Sequence, residues 1–155
     1  MLRYGVITKD EELIEDALNQ YYYHIKFLQN LDTGFFYHGY NNLDKSHMSG
    51  FYWARANAWA AYTMSQVGSI LPQAYLYPKF LEILGSLNEQ LSALKSVQTE
   101  NGLWRTILDD PDSYEELSAS AGIAAAMLAN RNPLHIKYIN KIRIFILVKE
   151  IQGIP

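Results

Sequence analysis

The chain predicts an all-α fold in which helical hairpins stand side by side as part of a ring, and three observations lead there. Apolar residues recur at helical spacing from Leu13 to Leu28 and from Phe80 to Leu94, the signature of helices with one face turned to a core. Two other stretches, Phe51 to Leu71 and Tyr114 to Ala129, are rich in Ala and Ser, and small side chains let helices approach closely. Each of these small-residue helices follows an aromatic, extended segment and a loop, Phe35 to Tyr40 before the first and Leu103 to Leu108 before the second. Small-faced helices packed around an axis, with larger-faced helices outside and loops gathered at one mouth, account for all three.

In chain order, Asp10-Glu11-Glu12 supplies an acidic start for the first helix, which runs through Leu13, Ala17, Leu18, Tyr21, Ile25 and Leu28 to about Asn30. Asp32-Thr33-Gly34 signals a turn, and Phe35 to Tyr40 is extended but too short for more than a rim segment. The polar stretch from Asn41 to Gly50 reads as a loop. The helix from Phe51 is stopped by Pro72. Pro78 then opens a long helix reaching about Gln98, with Phe80, Leu81, Leu84, Leu87, Leu91 and Leu94 on its apolar face. Asn101-Gly102 turns the chain into the second extended segment, and Asp109-Asp110-Pro111-Asp112-Ser113 reads as loop and cap for the helix from Tyr114 to Ala129. Asn130 to Pro133 breaks that helix, and a last one is expected from about His135 to Ile151.

Composition narrows the function classes. A chain of 155 residues is the size of one domain, and 49% hydrophobic against 19% charged residues is globular. A net charge of -3, with no basic stripe, excludes a nucleic-acid partner. There is no cysteine, which removes disulfides and thiolate metal sites and fits a reducing compartment. Met1-Leu2-Arg3-Tyr4-Gly5 lacks the pattern of a secretory signal, and no run approaches the ~20 apolar residues of a membrane span; a cytoplasmic protein with no membrane association is expected. The apolar run from Ile142 to Val148 suits a core or dimer helix.

The densest chemistry lies in Gly34-Phe35-Phe36-Tyr37-His38-Gly39-Tyr40 and in Phe51-Tyr52-Trp53-Ala54-Arg55-Ala56-Asn57-Ala58-Trp59. Indole, imidazole and guanidinium groups need polar partners when buried, so these stretches suit a pocket wall better than a core. Aromatic faces there would carry the apolar side of a sugar, and Arg55 would fork onto a carboxylate. The four histidines are not at metal-ligand spacing, and Asp109 to Ser113 lacks the glycine and distal Glu of a calcium loop. No metal and no cofactor is implied. Ser118 and Ser120 have no matching base and no nucleophile-elbow pattern.

These stretches, together with Asn101-Gly102-Leu103-Trp104-Arg105, Leu108-Asp109 and Tyr114-Glu115-Glu116-x-Ser118-Ala119-Ser120-Ala121, resemble the ordered motifs of the unsaturated uronyl hydrolases, families 88 and 105 of the glycoside hydrolases, and most nearly the unsaturated rhamnogalacturonyl hydrolase branch. The resemblance covers about residues 1–130 of a single domain spanning 1–155, with 131–155 divergent or truncated. It implies about half of an (α/α) barrel, a toroid of six helical hairpins in the complete family fold. It also implies an activity: removal of the terminal unsaturated uronic acid, galacturonyl or glucuronyl, from oligosaccharides left by polysaccharide lyases. In that family an Asp protonates the C4 end of the vinyl ether and helps water add at C5, and the resulting hemiketal opens with loss of the glycosidic link. One carboxylate serves both proton transfers.

By motif position the resemblance assigns His38, Trp53, Arg55 and Trp59 to substrate binding, and Asn57 to bracing the loop. The family's catalytic Asp belongs to a motif upstream of the segment matching Leu2-Arg3-Tyr4-Gly5, so no catalytic residue is assigned; Asp32 and Asp44 flank the aromatic segment without the family's context. The expected partner is an oligosaccharide bearing an unsaturated uronic acid. Exposed apolar flanks of an open ring would favour a homo-oligomer. Simpler roles stand beside these: His38 as a hydrogen-bonded structural residue, Trp59 as plain core, Arg55 in an ion pair with Asp109 or Glu116, and the whole chain as an inactive remnant that binds carbohydrate or only self-associates.

Overall fold

The computed structural model describes residues 1–130. Five helices run in order: α1 (Leu2–Thr8), α2 (Glu11–Leu28), α3 (Ala54–Ile70), α4 (Pro78–Ser96) and α5 (Leu117–Ala129). A two-residue hairpin, β1 (Tyr40–Asn41) with β2 (Ser46–His47), lies between α2 and α3. A single 3-10 turn at Ala74–Leu76 joins α3 to α4. The last expected helix, from about His135 to Ile151, and the proposed association surface at Ile142 to Val148 lie outside the described residues.

Three local outcomes differ from the sequence reading. A short α1 precedes the first expected helix; at 7 residues it makes about two turns and gives too little periodicity to be noticed. Its end is set by Lys9 in the left-handed region, φ 56°, whose N–H reaches the Gly5 carbonyl. Gly5 is required by packing, because a Cβ there would sit 3.0 Å from Ile14 Cγ1. The stretch 41–50, expected as a loop, contains the hairpin, closed by Asp44, whose Oδ1 accepts from the Ser46 hydroxyl at 2.7 Å. The helix expected from Tyr114 begins at Leu117, and its cap is Glu116 rather than the Asp109–Ser113 turn. Tyr114 and Glu115 are held extended instead, by pairing with Arg105 and Thr106.

Helices α3 and α5 pack together along their small faces: a Cβ on Gly122 would lie 2.9 Å from the Cβ of Ala58. Ala54, Ala58 and Ala61 of α3 and Ala119, Ile123 and Ala126 of α5 are buried. Helices α2 and α4 pack outside them. On α4 the buried stripe is Ile83, Leu87, Leu91 and Leu94, while Leu81, expected in the core, is 61% exposed. The extended segment 103–108 ties the starts of the inner helices together. Ala54 N–H donates to Thr106 O at 2.9 Å and Leu108 N–H to Tyr52 O at 2.9 Å, while Glu116 N–H donates to Trp104 O at 2.8 Å. Trp104 is fully buried between them and donates its indole N–H to Leu94 O at 2.7 Å.

Buried amides fasten the loop after α2. Asn57, with no exposed surface, accepts from Phe36 N–H at 2.8 Å and donates to Phe36 O at 2.9 Å, which is the bracing role its motif implies. Gln90 of α4 donates to Asn57 O at 3.0 Å and to Asn57 Oδ1 at 3.1 Å. Gln29 donates to Gly34 O and Ser86 O, and Ser86 returns a bond to Gln29 at 2.6 Å. Gly34, φ +78°, makes the turn between; a Cβ there would be strained and would come within 3.1 Å of Glu89 O.

Glu116 caps α5 by accepting from Ser118 N–H at 3.1 Å and Ala119 N–H at 2.8 Å. Burial works against its charge, but bonds from the Ser118 hydroxyl and from the Ala119 and Ser118 amides, joined by the nearby Arg55 guanidinium, outweigh it and hold the carboxyl below the usual Glu range.

Two stability predictions follow from these bonds. Asn57→Leu strands both main-chain polar groups of Phe36, and should lower the unfolding free energy in urea by about 3 kcal/mol or more. Glu116→Gln should melt below the wild type at neutral pH. Because the folded-state pKa is depressed, that stabilisation is present above the unfolded carboxylate pKa and is lost as pH falls through the folded value. The two melting curves should therefore converge in acid; a gap that stays constant down to acid pH would refute the electrostatic origin.

Candidate active site

The N-terminal end of α3, the loop 35–38 and the hairpin form a rim over an open groove of about 520 Å³ between α2 and α3. His38, Trp53 and Trp59 line it, as do Tyr21, His24 and Thr63. The structure thus brings together three of the four site residues expected from sequence. Trp53 and Trp59 meet edge to face with ring centroids 5.5 Å apart, and His38 meets Trp53 edge-on at 6.2 Å. Trp59 is 58% exposed, so the plain-core reading is corrected: it begins the second turn of α3 on the groove side, not the side facing α5. Two indoles at right angles offer one flat wall and one edge, which suits the apolar face of a pyranose ring.

His38 is exposed, and its ring nitrogens meet no partner among the described residues. The reading of His38 as a hydrogen-bonded structural histidine therefore has no bond to rest on. The adjacent histidine on the hairpin does have that role. His47 stacks on Tyr37 at 3.8 Å, with the planes 20° apart, and its Nε2 lies 3.1 Å from Phe27 O. Below the rim, Tyr52 donates to the Tyr37 hydroxyl at 3.0 Å, and Asn30 donates to Tyr52 at 2.8 Å. Burial, reinforced by the bond to Tyr37, pushes the Tyr52 phenol upward from its ordinary pKa, so it stays protonated and a donor.

Arg55 is placed differently. It does not line the groove; its guanidinium carbon sits 5.3 Å over the Trp53 ring and its Nη2 lies 3.4 Å from Glu116 Oε1. Of the two ion pairs considered from sequence, the one with Glu116 forms. The Arg55 side chain nevertheless keeps 40% of its surface exposed, against 10% for Glu116. Trp53 therefore separates the groove from a cationic edge on the α5 side.

Sequence reasoning missed the α2 wall. Tyr21 reads as part of an apolar helical face and His24 only as a histidine without metal-ligand spacing, although Gln20, His24 and Leu28 follow an i, i+4, i+8 row that carries two polar groups and lines the groove. Asp32 and Asp44 lie away from it, Asp44 closing the hairpin through Asn41 and Ser46. Among the described residues no carboxylate lines the groove. Ser118 and Ser120 both serve the start of α5, Ser118 bonding Glu116 and Ser120 accepting from Trp104 N–H at 2.9 Å. Among the described residues there is no cluster of His, Asp or Glu able to hold a metal ion, and no helix long and apolar enough to cross a membrane.

Known proteins resemble this chain in sequence and in fold. The chain is 48% identical over 141 residues to the unsaturated rhamnogalacturonyl hydrolase YesR of Bacillus subtilis strain 168, spanning 91% of this chain and 40% of that protein. A solved structure of a possible member of glycoside hydrolase family 105 from Salmonella enterica serovar Paratyphi A superposes with a TM-score of 0.88 at 28% identity, covering 95% of this chain and 40% of the other. The unsaturated glucuronyl hydrolase of Bacillus sp. GL1 shares the fold, with a TM-score of 0.69 at 19% identity over 94% of this chain and 42% of the other. The described helices are therefore part of a six-hairpin (α/α) barrel, and the chain spans about two-fifths of the length of these relatives. The profile of Glycosyl Hydrolase Family 88 matches residues 1–144, and the chain belongs to that family.

Proposed function

We propose that the chain forms the sugar-binding wall of a hydrolase that removes a terminal unsaturated uronic acid from lyase-generated oligosaccharides by hydrating its C4–C5 double bond. The observation that carries this reading is the convergence of His38, Trp53, Trp59 and Arg55 on one end of α3, in a chain of this family whose relative in Bacillus subtilis is named for unsaturated rhamnogalacturonyl substrates. In this assignment the sugar ring lies on Trp59 and Trp53. His38 bonds a ring hydroxyl, and the substrate carboxylate reaches past the Trp53 edge to Arg55.

Protonation at C4 and addition of water at C5 then give a hemiketal, which opens and releases the remaining sugar. The proton donor is a carboxylate brought to the groove from outside the described residues, because none lines it there. A cytoplasmic setting and self-association belong to the same reading. The absence of cysteine supports the first, and the exposure of Tyr4, Ile7 and Tyr62 on the α1 and α3 surfaces supports the second.

The test is incubation with unsaturated rhamnogalacturonyl and glucuronyl disaccharides, following loss of the double-bond absorbance beside calorimetric binding. Binding is expected, with Arg55→Ala and Trp59→Ala each weakening it at least tenfold. Turnover by this chain alone should fall short of a complete enzyme by ~10² to 10⁴, the range for a missing general acid. Heat of binding without any loss of absorbance would identify a sugar-binding protein without turnover. Absence of both would overturn the proposal.

A further inference from the structure

We propose that Glu116 is a positioning residue that holds the Arg55 guanidinium against Trp53, leaving its remaining N–H donors set for a ligand carboxylate. The carboxylate-binding role of Arg55 is taken from the function proposed above; the positioning itself stands on geometry. Glu116 is immobilised before Arg55 reaches it. Its residue is 9% exposed, one oxygen accepts from Ala119 N–H at 2.8 Å, and the other accepts from Ser118 N–H at 3.1 Å and the Ser118 hydroxyl at 2.5 Å. The backbone fixes where it stands relative to α3, since segment 103–108 bonds both Ala54 and Glu116.

Arg55, by contrast, is long and would lose much rotamer freedom on binding if it were loose beforehand. Glu116 takes only Nη2, at 3.4 Å, of a group with five N–H donors; the Nε–H is buried, so the donors left for a ligand are those of the Nη groups. A cation–π contact with the Trp53 ring, at 5.3 Å, restrains the guanidinium on a second side. The pair is lopsided, with the acid buried and the base half open. A purely structural buried pair would hide both partners, and an ordinary surface pair exposes both, as Lys79 and Glu15 do at 34% and 47%. A buried acid with an outward-facing base fits a guanidinium kept in place for something else.

Glu116→Ser tests this, because Ser still caps a helix but has no carboxylate and cannot span to Arg55. The Arg55 Nε–H should relax in nitrogen-15 NMR like the backbone in the wild type and become freely mobile in the variant; equal order in both proteins would overturn the proposal without reference to any ligand. In parallel, affinities for an unsaturated galacturonyl disaccharide and for its methyl ester are compared. The variant should lose about three- to tenfold of the preference for the acid, the cost of ordering one long side chain on binding, while the ester binds as before. Equal losses for both ligands would indicate a merely structural role and overturn the positioning claim. A wild type with no preference for the acid would instead overturn the function assigned to Arg55, leaving the NMR result to decide the positioning.

Discussion

The rim depends on one buried amide. Asn57 sits at the end of the first turn of α3, bonds both main-chain polar groups of Phe36 and donates to Trp53 O as well, and Gln90 holds it from α4. A buried amide so fully engaged is worth more than its separate bonds suggest, because releasing it leaves several groups without water or partner. Everything functional follows from this clamp. Phe36 lies two residues before His38, so fixing its backbone fixes the loop from which the imidazole projects. The first two turns of α3 carry Arg55, Asn57 and Trp59, with Trp53 at the N-cap.

The second inner helix is aligned to the first by main-chain pairing rather than by side-chain chemistry. Segment 103–108 acts as a short common strand against residues 52–54 on one side and 114–116 on the other. With Trp104 buried beneath it, the two helix starts cannot slide past one another. The relative position of α3 and α5 at the mouth is therefore set by backbone hydrogen bonds, the kind of rigid support a binding site requires.

Much of this was legible in the chain. The helices of α2 and α4 announced themselves by period, acidic start and proline, and the small-residue helices by composition; these are local signals, strong over several turns. The motif residues His38, Trp53 and Trp59 were legible because they cluster in sequence around one helix start. What stayed hidden depends on partners distant in the chain. The cap of α5 went to Glu116 because pairing of 114–115 with 105–106 consumes the residues that looked like a helix start. Arg55 could not be placed on either side of Trp53 until Glu116 was seen beside it. Leu81 looked like core because a helix shows its apolar stripe without showing which of two edges is covered.

Helices α3 and α5 approach closely at Gly122 and Ala58, about a turn below the mouth. At that depth a hydrogen atom stands where any other residue would place a carbon. The aperture above inherits that spacing. A methyl group added there would stand 2.9 Å from Ala58 Cβ and would have to move out to the 3.4–4 Å of ordinary contact, so the gauge of the opening is written in the interior, by the smallest residue in the wall.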